Sequence, residues 1–449
     1  MFYLNSPEEL TTEKLVEFIQ LFNTSVIPQY NKMYDYYIGK HEILMKKPIS
    51  EDRPCNKIID NHCNTIVNNY LGYITGKPIT YTNNNTDFEE ITDILKYNDV
   101  KTVDNQLLKN ALIYGVAYEL QYIDNNKKLR FKSISPKEMF LIKSADIEEN
   151  ILYAVRIYTT DIKKQNYIID VYNKTEHIIY TCDSGFANLI PINNISHLYK
   201  DVPVSEFILN DDNQNIFEQI ISMQDCYNKL FSGEVDDFEN FVDCYMLITG
   251  VQLTDEQLKT IKDTHILNLY NNNEYTGEAN KQEFKAEYLT KQIADTQIEN
   301  MLNRIKKDIF SKTNCPDFTD ENFSGNASGV AIKYKILGFE NVSGNIENNM
   351  RKCLQRRIEL FNNILITTQI DAVWRDVEIT FTRNLPDNTL TLSGNINDYK
   401  GLVSDTTLLT QIPFVTDIEE EKKMKLEESQ ANMALYNFGN TGSNTEDGE

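Results

Sequence analysis

The chain reads as an α+β fold, mainly helical, and three features of its 449 residues lead there. Apolar side chains recur at threes and fours along several long stretches, the mark of helices with one buried face. Between about residues 129 and 181 that period gives way to short runs rich in β-branched and aromatic residues. Further on, a Gly/Ser/Asn cluster feeds directly into a very long helical pattern.

In chain order, residues from Thr12 to about Leu44 read as helical, with Leu15, Phe18, Ile19 and Phe22 on one stripe. A second helix is expected from Asn56 to Leu71, ending near Gly72. Helical spacing then runs from Asp87 to Leu120 through Ile91, Ile94, Leu95, Val103, Leu107, Leu108 and Leu112. Strands are expected at Leu129–Ile134, Ile151–Tyr158, Tyr167–Tyr172 and Glu176–Thr181, parted by Asp124-Asn125-Asn126 and Asp183-Ser184-Gly185. The helical period returns from Ile216 to Ile248, and Gly250 is its natural stop. Val251 to Lys285 is a polar, mixed insert with a turn at Asn271-Asn272-Asn273, and Lys291–Phe310 is a further helix. Two helices bracketing a small insert make a hairpin with a compact tip.

The loop Ser324-Gly325-Asn326-Ala327-Ser328-Gly329 tolerates left-handed backbone, and Asn326 or Ser328 can cap the helix that follows. Ile332, Ile336, Phe339, Val342, Ile346, Met350, Leu354, Phe361 and Leu365 mark its buried stripe, while Gly338 and Gly344 predict a bend in it. Trp374 to Thr382 reads as a strand, and Asp398 to Ala434 as helix broken by Pro413. Asn437 to Glu449 has a disordered composition.

Charge sets the class of partner. Lys and Arg total 44 against 67 Asp and Glu, a formal charge of −23. A protein that grips DNA carries a basic stripe to displace counterions, so this chain should not hold DNA tightly. An acidic wall does suit a passage along which a polyanion slides. Between Lys229 and Lys259 there is no Lys or Arg, yet Glu234, Asp236, Asp237, Glu239, Asp243, Asp255 and Glu256 fall inside. On one subunit such a run is a solvated face; repeated around a ring it makes a negative collar.

Catalytic and metal chemistry find no support. The five histidines form no H-x-x-x-H or H-E-x-x-H pair, and His62-Cys63 lacks ligands at zinc spacing, so packing is the expected role of both thiols nearby. Gly72 to Pro78 imitates a phosphate loop, but its glycine spacing is one short and Pro78 stands where a Ser or Thr would hold magnesium. Asp236-Asp237 point to different helix faces, without a nearby His or Lys base. No cofactor is expected. Seven cysteines, odd in number and without a C-x-x-C pair, argue for reduced thiols. The N-terminus MFYLNSPEEL lacks a secretory pattern, and no run of about 18 apolar residues exists to span a bilayer.

The string Asn326-Ala327-Ser328-Gly329-Val330-Ala331-Ile332-Lys333-Tyr334-Lys335 resembles the loop-and-helix signature of bacteriophage portal proteins from long non-contractile-tailed double-stranded DNA phages. Tyr36-Tyr37-Ile38-Gly39-Lys40-His41 resembles the family's Tyr-Tyr-x-Gly-x-His motif. Asn56-Lys57-Ile58-Ile59 with Tyr70 to Ile79, Gln224 to Lys229, and Tyr288 to Lys291 resemble further blocks, all in the family's order. Asn61-His62-Cys63-Asn64 and Ser232-Gly233 depart from it.

The resemblance implies a non-enzymatic subunit of a closed ring of about twelve copies at one capsid vertex, with DNA passing down the axis during packaging and ejection. It implies a portal architecture: wing at 1–212 and 313–385, stem helices at 213–249 and 290–312, a small α/β clip at 250–289, and a helical crown at 386–436 before the acidic tail 437–449. The wing would contain a long kinked helix over about 329–366. A DNA-facing tunnel loop would comprise Asp320, Glu321, Asn322, Phe323, Ser324, Gly325, Asn326, Ala327 and Ser328, and the stem an acidic face of Glu234, Asp236, Asp237, Glu239 and Asp243. Implied partners are the terminase large subunit, the major capsid and scaffold proteins, and head-completion or adaptor proteins, with no membrane. Localisation would be the virion, after assembly in the host cytoplasm. A second reading is an acidic oligomeric scaffold or adaptor that does not enclose DNA.

Overall fold

The β-branched runs do form strands, and their alternation builds a hydrophobic core. Strands β1 (Phe2–Leu4), β5 (Met139–Ser144), β6 (Ile151–Tyr158), β7 (Asn166–Tyr172), β8 (Glu176–Asp183) and β9 (Ile190–Ser196) make one sheet in the order β1-β5-β6-β7-β8-β9. Pairing is antiparallel from β5 to β9, and β1 lies parallel to β5. One face presents Phe140, Ile142, Val155, Ile157, Ile169, Val171 and Cys182 to Leu15, Ile19 and Phe22 from the first helical segment. That segment comprises α1 (Thr12–Leu21), a π turn at Phe22–Val26 and α2 (Ile27–Tyr37). Thr11 caps α1 by accepting from Lys14 N–H, satisfying one orphan donor.

The computed structural model describes residues 2–48, 50, 53–83, 88–161, 163, 165–242, 246–249, 266–269, 285–288, 295–319, 329–370, 374–384, 402–409, 412, 415 and 418–439. They divide into two compact units, residues 1–71 with 85–375, and residues 72–84 with 376–449. The fold is α+β with helices predominating.

In the first unit a second sheet, of order β10-β3-β4, joins β3 (Val116–Ile123), β4 (Leu129–Ile134) and β10 (Val204–Ile208). Val116, Tyr118, Leu120 and Val204 from it pack with Met139, Leu141, Ala154 and Tyr172 of the larger sheet. Helix α5 (Val100–Tyr114) leads into β3, after α4 (Phe88–Tyr97) and beyond α3 (His62–Thr75). The helical spacing read from Asp87 to Leu120 is therefore three elements. Asp99 at φ 49° divides α4 from α5, and Gly115 at φ 84° stops α5 before β3. A Cβ at Gly115 would fall 2.1 Å from the Asn213 carbonyl oxygen, so glycine is required by both conformation and space.

The long helix is two pieces, α8 (Gly329–Lys335) and α9 (Leu337–Leu365), parted at Ile336. The interruption falls just before Gly338, which with Gly344 lies inside α9. Phe339, Ile346, Met350, Leu354, Ile358 and Phe361 form its buried stripe, as the sequence spacing requires.

The two hairpin helices are α6 (Ile221–Val242) and α7 (Asp295–Lys312). Helix α6 stops short of the expected Ile248, because Met246–Thr249 forms strand β11. β11 pairs parallel with β12 (Ile266–Leu269) and antiparallel with β13 (Lys285–Tyr288). The helix expected from Asn56 begins only at His62; residues 55–61 are extended.

In the second unit β2 (Thr80–Thr82) pairs antiparallel with β14 (Glu378–Thr380), a shorter strand than Trp374 to Thr382 because Trp374–Asp376 is a 3-10 turn. The Arg383 guanidinium lies 5.3 Å from the Tyr73 ring centre, and Asn384 N–H donates to the Tyr73 carbonyl at 3.3 Å. Helices α10 (Asp405–Leu409) and α11 (Ile418–Gly439) follow, joined by the Lys425–Asp405 contact of 2.9 Å. Helix α11 takes in the first residues of the expected tail; 440–449 lie outside the described residues. Among the described residues no helix is long and apolar enough to cross a membrane.

Candidate functional site

Gln224, Asn228, Ser232 and Asp236 recur every fourth residue on α6, so they line one face of it. Against that face lies an extended strap, residues 55–61, whose backbone groups would otherwise lack partners. Asn56 N–H donates to Asp236 Oδ1 at 2.6 Å, Ile58 N–H to Ser232 Oγ at 3.0 Å, and Asp60 N–H to Asn228 Oδ1 at 3.2 Å. The Gln224 amide donates to the Asp60 carbonyl at 2.6 Å, and its Oε1 accepts His62 N–H at 3.2 Å. Side chains of one helix thus serve as the pairing edge for an extended segment.

The strap's other end is fixed from α2, where the Tyr37 carbonyl accepts Asn61 Nδ2 at 3.0 Å, and α2 is itself tied to α6. Tyr36 OH donates to the Asp225 carboxylate at 2.8 Å, and the Tyr36 ring stacks on His41 at 4.7 Å. His41 Nε2 meets the Tyr36 carbonyl at 2.9 Å, and Asn228 Nδ2 meets His41 Nδ1 at 2.7 Å. His62 sits between the hairpin helices, 4.8 Å from the Tyr227 ring and 5.7 Å from Phe310. Burial lowers both histidines below the ordinary value, outweighing for His41 the Tyr36 carbonyl and for His62 the Asp60 carboxylate. Cys63 next door is fully buried, and burial pushes its thiol up to about 12, which suits packing and not reactivity.

The acidic residues of α6 divide by face. Asp236 accepts Lys46 Nζ at 2.6 Å as well as both nitrogens of Asn56, so it closes the strap. Burial would push its carboxyl up, but the bonds from Lys46 and Asn56 more than offset that and hold it below the usual range. Exposed Glu239 accepts Asn56 Nδ2 at 3.0 Å. Glu234 faces α7: burial, then a hydrogen bond to Asp295 and the charge of Glu299, raise its carboxyl. Asp237 is half-buried, and Asp243 lies outside the described residues. Among the described residues no group of three or more His, Cys, Asp or Glu is placed to hold a metal ion.

The segment Asp320, Glu321, Asn322, Phe323, Ser324, Gly325, Asn326, Ala327 and Ser328 also lies outside the described residues, but its roots do not. On one side Tyr70 OH donates to the Thr313 carbonyl at 2.8 Å, Cys315 is buried, and Lys306 holds Asp317 at 2.9 Å. On the other, α8 begins at Gly329 and leads into the buried α9. The described residues on both sides of 320–328 are therefore held within the first unit.

Comparison with known proteins bears on this arrangement. The family model for phage portal proteins, SPP1 Gp6-like, matches residues 19–434. The chain belongs to the SPP1 Gp6-like phage portal family. Relatives of this portal chain include the portal protein of Clostridium phage phiCD119, 24% identical over 429 residues, which cover 88% of this chain and 91% of the relative. The portal protein of Bacillus phage SPP1 is 22% identical over 373 residues, covering 78% of this chain and 71% of its own.

Two motif blocks singled out in the portal sequence turn out to be partners in space. Tyr36 and His41 of the Tyr-Tyr-x-Gly-x-His block meet Asp225 and Asn228 of the Gln224–Lys229 block. The strap itself was missed, because apolar Ile58 and Ile59 followed by a true helix look like helix throughout. The signal that could have found it is the polar i, i+4 row on α6, which a solvated helix face does not need.

Proposed function

We propose that this portal protein assembles into a closed ring of about twelve copies that forms the axial conduit for double-stranded DNA at one capsid vertex. The match across residues 19–434, with two packed helices bracketing the small β11–β13 sheet, is the observation that carries the reading. α6 and α7 serve as the stem, residues 250–289 with their flanking strand as the clip, residues 1–212 and 313–385 as the wing, and 386–436 as the crown. The clip takes the terminase large subunit and later the head-completion or adaptor protein; wing and stem face the scaffold and major capsid proteins. Assembly takes place in the host cytoplasm and ends in the virion.

The role is structural, without catalysis. A charge of −23 per subunit keeps the lining from holding a polymer that carries one phosphate charge per about 1.7 Å of duplex axis. The acidic side chains Glu234, Asp237, Glu239 and Asp243 contribute to that repulsion, and the 320–328 loops touch the duplex without a charge that binds it. Negative-stain images and native mass spectrometry of the purified protein test the proposal. A ring near twelve subunits with an axial hole supports it; dimers or open arrays overturn it in favour of an adaptor.

A further inference from the structure

The bonds that fasten the strap to α6 depend on which proton each ring and amide carries, and the backbone fixes that. Asp60 N–H can only donate, so the Asn228 atom 3.2 Å away is Oδ1. His62 N–H in the same way fixes Gln224 Oε1 at 3.2 Å, leaving Gln224 Nε2 to donate to the Asp60 carbonyl and to Asn228 Oδ1 at 3.0 Å. Asn228 Nδ2 is then a donor aimed at His41 Nδ1 at 2.7 Å, a contact that holds only while Nδ1 is a bare acceptor. The ring's one proton sits on Nε2, donated to the Tyr36 carbonyl at 2.9 Å. A second proton would set an N–H against an amide N–H. His62 has the Asp60 carboxylate 3.5 Å from its Nε2, but burial outweighs that charge, so it adds a smaller resistance of its own to protonation.

We propose that His41 and Asn228 form an acid-sensitive latch: protonating His41 breaks their hydrogen bond and lets residues 56–62 lift from α6. The groups facing the ring oppose one another. Asp225 from α6 and the Asn61 side chain from the strap favour the proton; from α3, the neighbouring charge of His62 disfavours it. Beside the Tyr36 ring that stacks on His41 lie Lys32, 5.9 Å from its centre, and Glu42, itself 3.9 Å from Lys32. His62 in turn feels Asp60 in the strap, Lys306 on α7 and Asp317 beyond it. Burial outweighs the acidic neighbours, so the closed latch resists a proton that the open one takes up. Above the ordinary histidine value, about 6.5, the latch is indifferent to pH; below it opening grows by up to about tenfold per pH unit until the closed ring itself titrates.

Hydrogen exchange on the assembled full-length protein tests this, read on peptides covering residues 55–62 at about pH 7.5 and about pH 5.5 and corrected for intrinsic rates. Opening in that segment is expected to rise by up to about tenfold at the lower pH, while β3 and β4 stay protected. Asn228→Asp keeps an acceptor for Asp60 N–H and supplies one for a protonated Nδ1, so its opening should rise clearly less at the lower pH than the wild type's. Should that variant fail to assemble, His41→Gln, which cannot gain a proton, should lose His41's share of the pH dependence and rise clearly less than the wild type. Equal opening of the wild type at both pH values overturns the latch. So does wild-type pH dependence retained in Asn228→Asp or in His41→Gln.

Discussion

The Arg357 guanidinium on α9 meets the Glu119 carboxylate on β3 at two points, Nε to Oε1 at 2.8 Å and Nη2 to Oε2 at 2.5 Å, with both side chains fully buried. Asp104 on α5 takes Nη2 as well at 2.6 Å, and the guanidinium lies 4.4 Å from the Phe131 ring centre. One cation thus ties the longest helix to a strand and to a second helix. Burial pushes the Glu119 carboxyl up, against the pull of Arg357, since two carboxylates share one cation.

Removing that cation strands two buried carboxylates. Arg357→Ala should cost about 3–5 kcal/mol and lower the melting temperature steeply in thermal unfolding. Glu119→Gln leaves a neutral acceptor and Asp104 as counter-ion, so it should cost clearly less. Equal losses from both changes would mean that packing volume, and not charge, fixes this site.

Asp236→Ala removes the acceptor for Asn56 N–H and the partner of Lys46. The expected loss is about 1–3 kcal/mol for an unpaired backbone donor. Because the folded carboxyl lies below its ordinary value, its contribution is present above about pH 4 and fades as pH falls through the folded value. Unfolding by urea at pH 7 and at pH 3.5 should therefore show a gap between wild type and variant that narrows at the lower pH. The same variant should leave DNA incubated with magnesium as intact as the wild type does.

Asp236 also shows how far the sequence could be read. The helical period of α6 was legible, but the lysine that lies against its carboxylate, Lys46, was not. The attachment of Asp236 to Asn56, 180 residues away, was not legible either, because a local pattern carries no information about which extended segment docks on a helix. The same limit misplaced boundaries. Val116 to Leu120 continues an apolar run that only Gly115 at φ 84° turns from helix to strand, and Met246–Thr249 does so after α6. Strands β5 and β10 went unread because β5, with all six residues buried, is a continuous run without alternation, and β10 is five residues long.

Glu234→Gln should act in the opposite sense to Asp236→Ala. Glu234 is held above its ordinary value by burial and by Asp295 and Glu299, so its charge disfavours the α6–α7 pairing once pH exceeds the folded value. Neutralising it should stabilise the protein by about 0.5 kcal/mol at pH 7, a figure kept small because the group is partly solvated. The gain should vanish at low pH, where the wild-type carboxyl is protonated too. A melting temperature unchanged by the substitution at neutral pH would count against like-charge repulsion across the hairpin.

The last prediction concerns the loop between the two fixed roots. Tyr70, Cys315 and Asp317 secure the residues before this segment, and α9 is buried along its own stripe after it. Deleting Ser324–Ala327 should therefore leave folding and ring assembly intact, visible as unchanged melting and unchanged particles by negative stain. If the loop touches DNA in the conduit, the loss should instead appear in function: proheads built with the deleted chain should package less DNA, measured as nuclease-protected genome per particle. Normal packaging by deleted rings would leave residues 320–328 as a connection and nothing more, while failure to form rings would show that the loop belongs to the subunit interface.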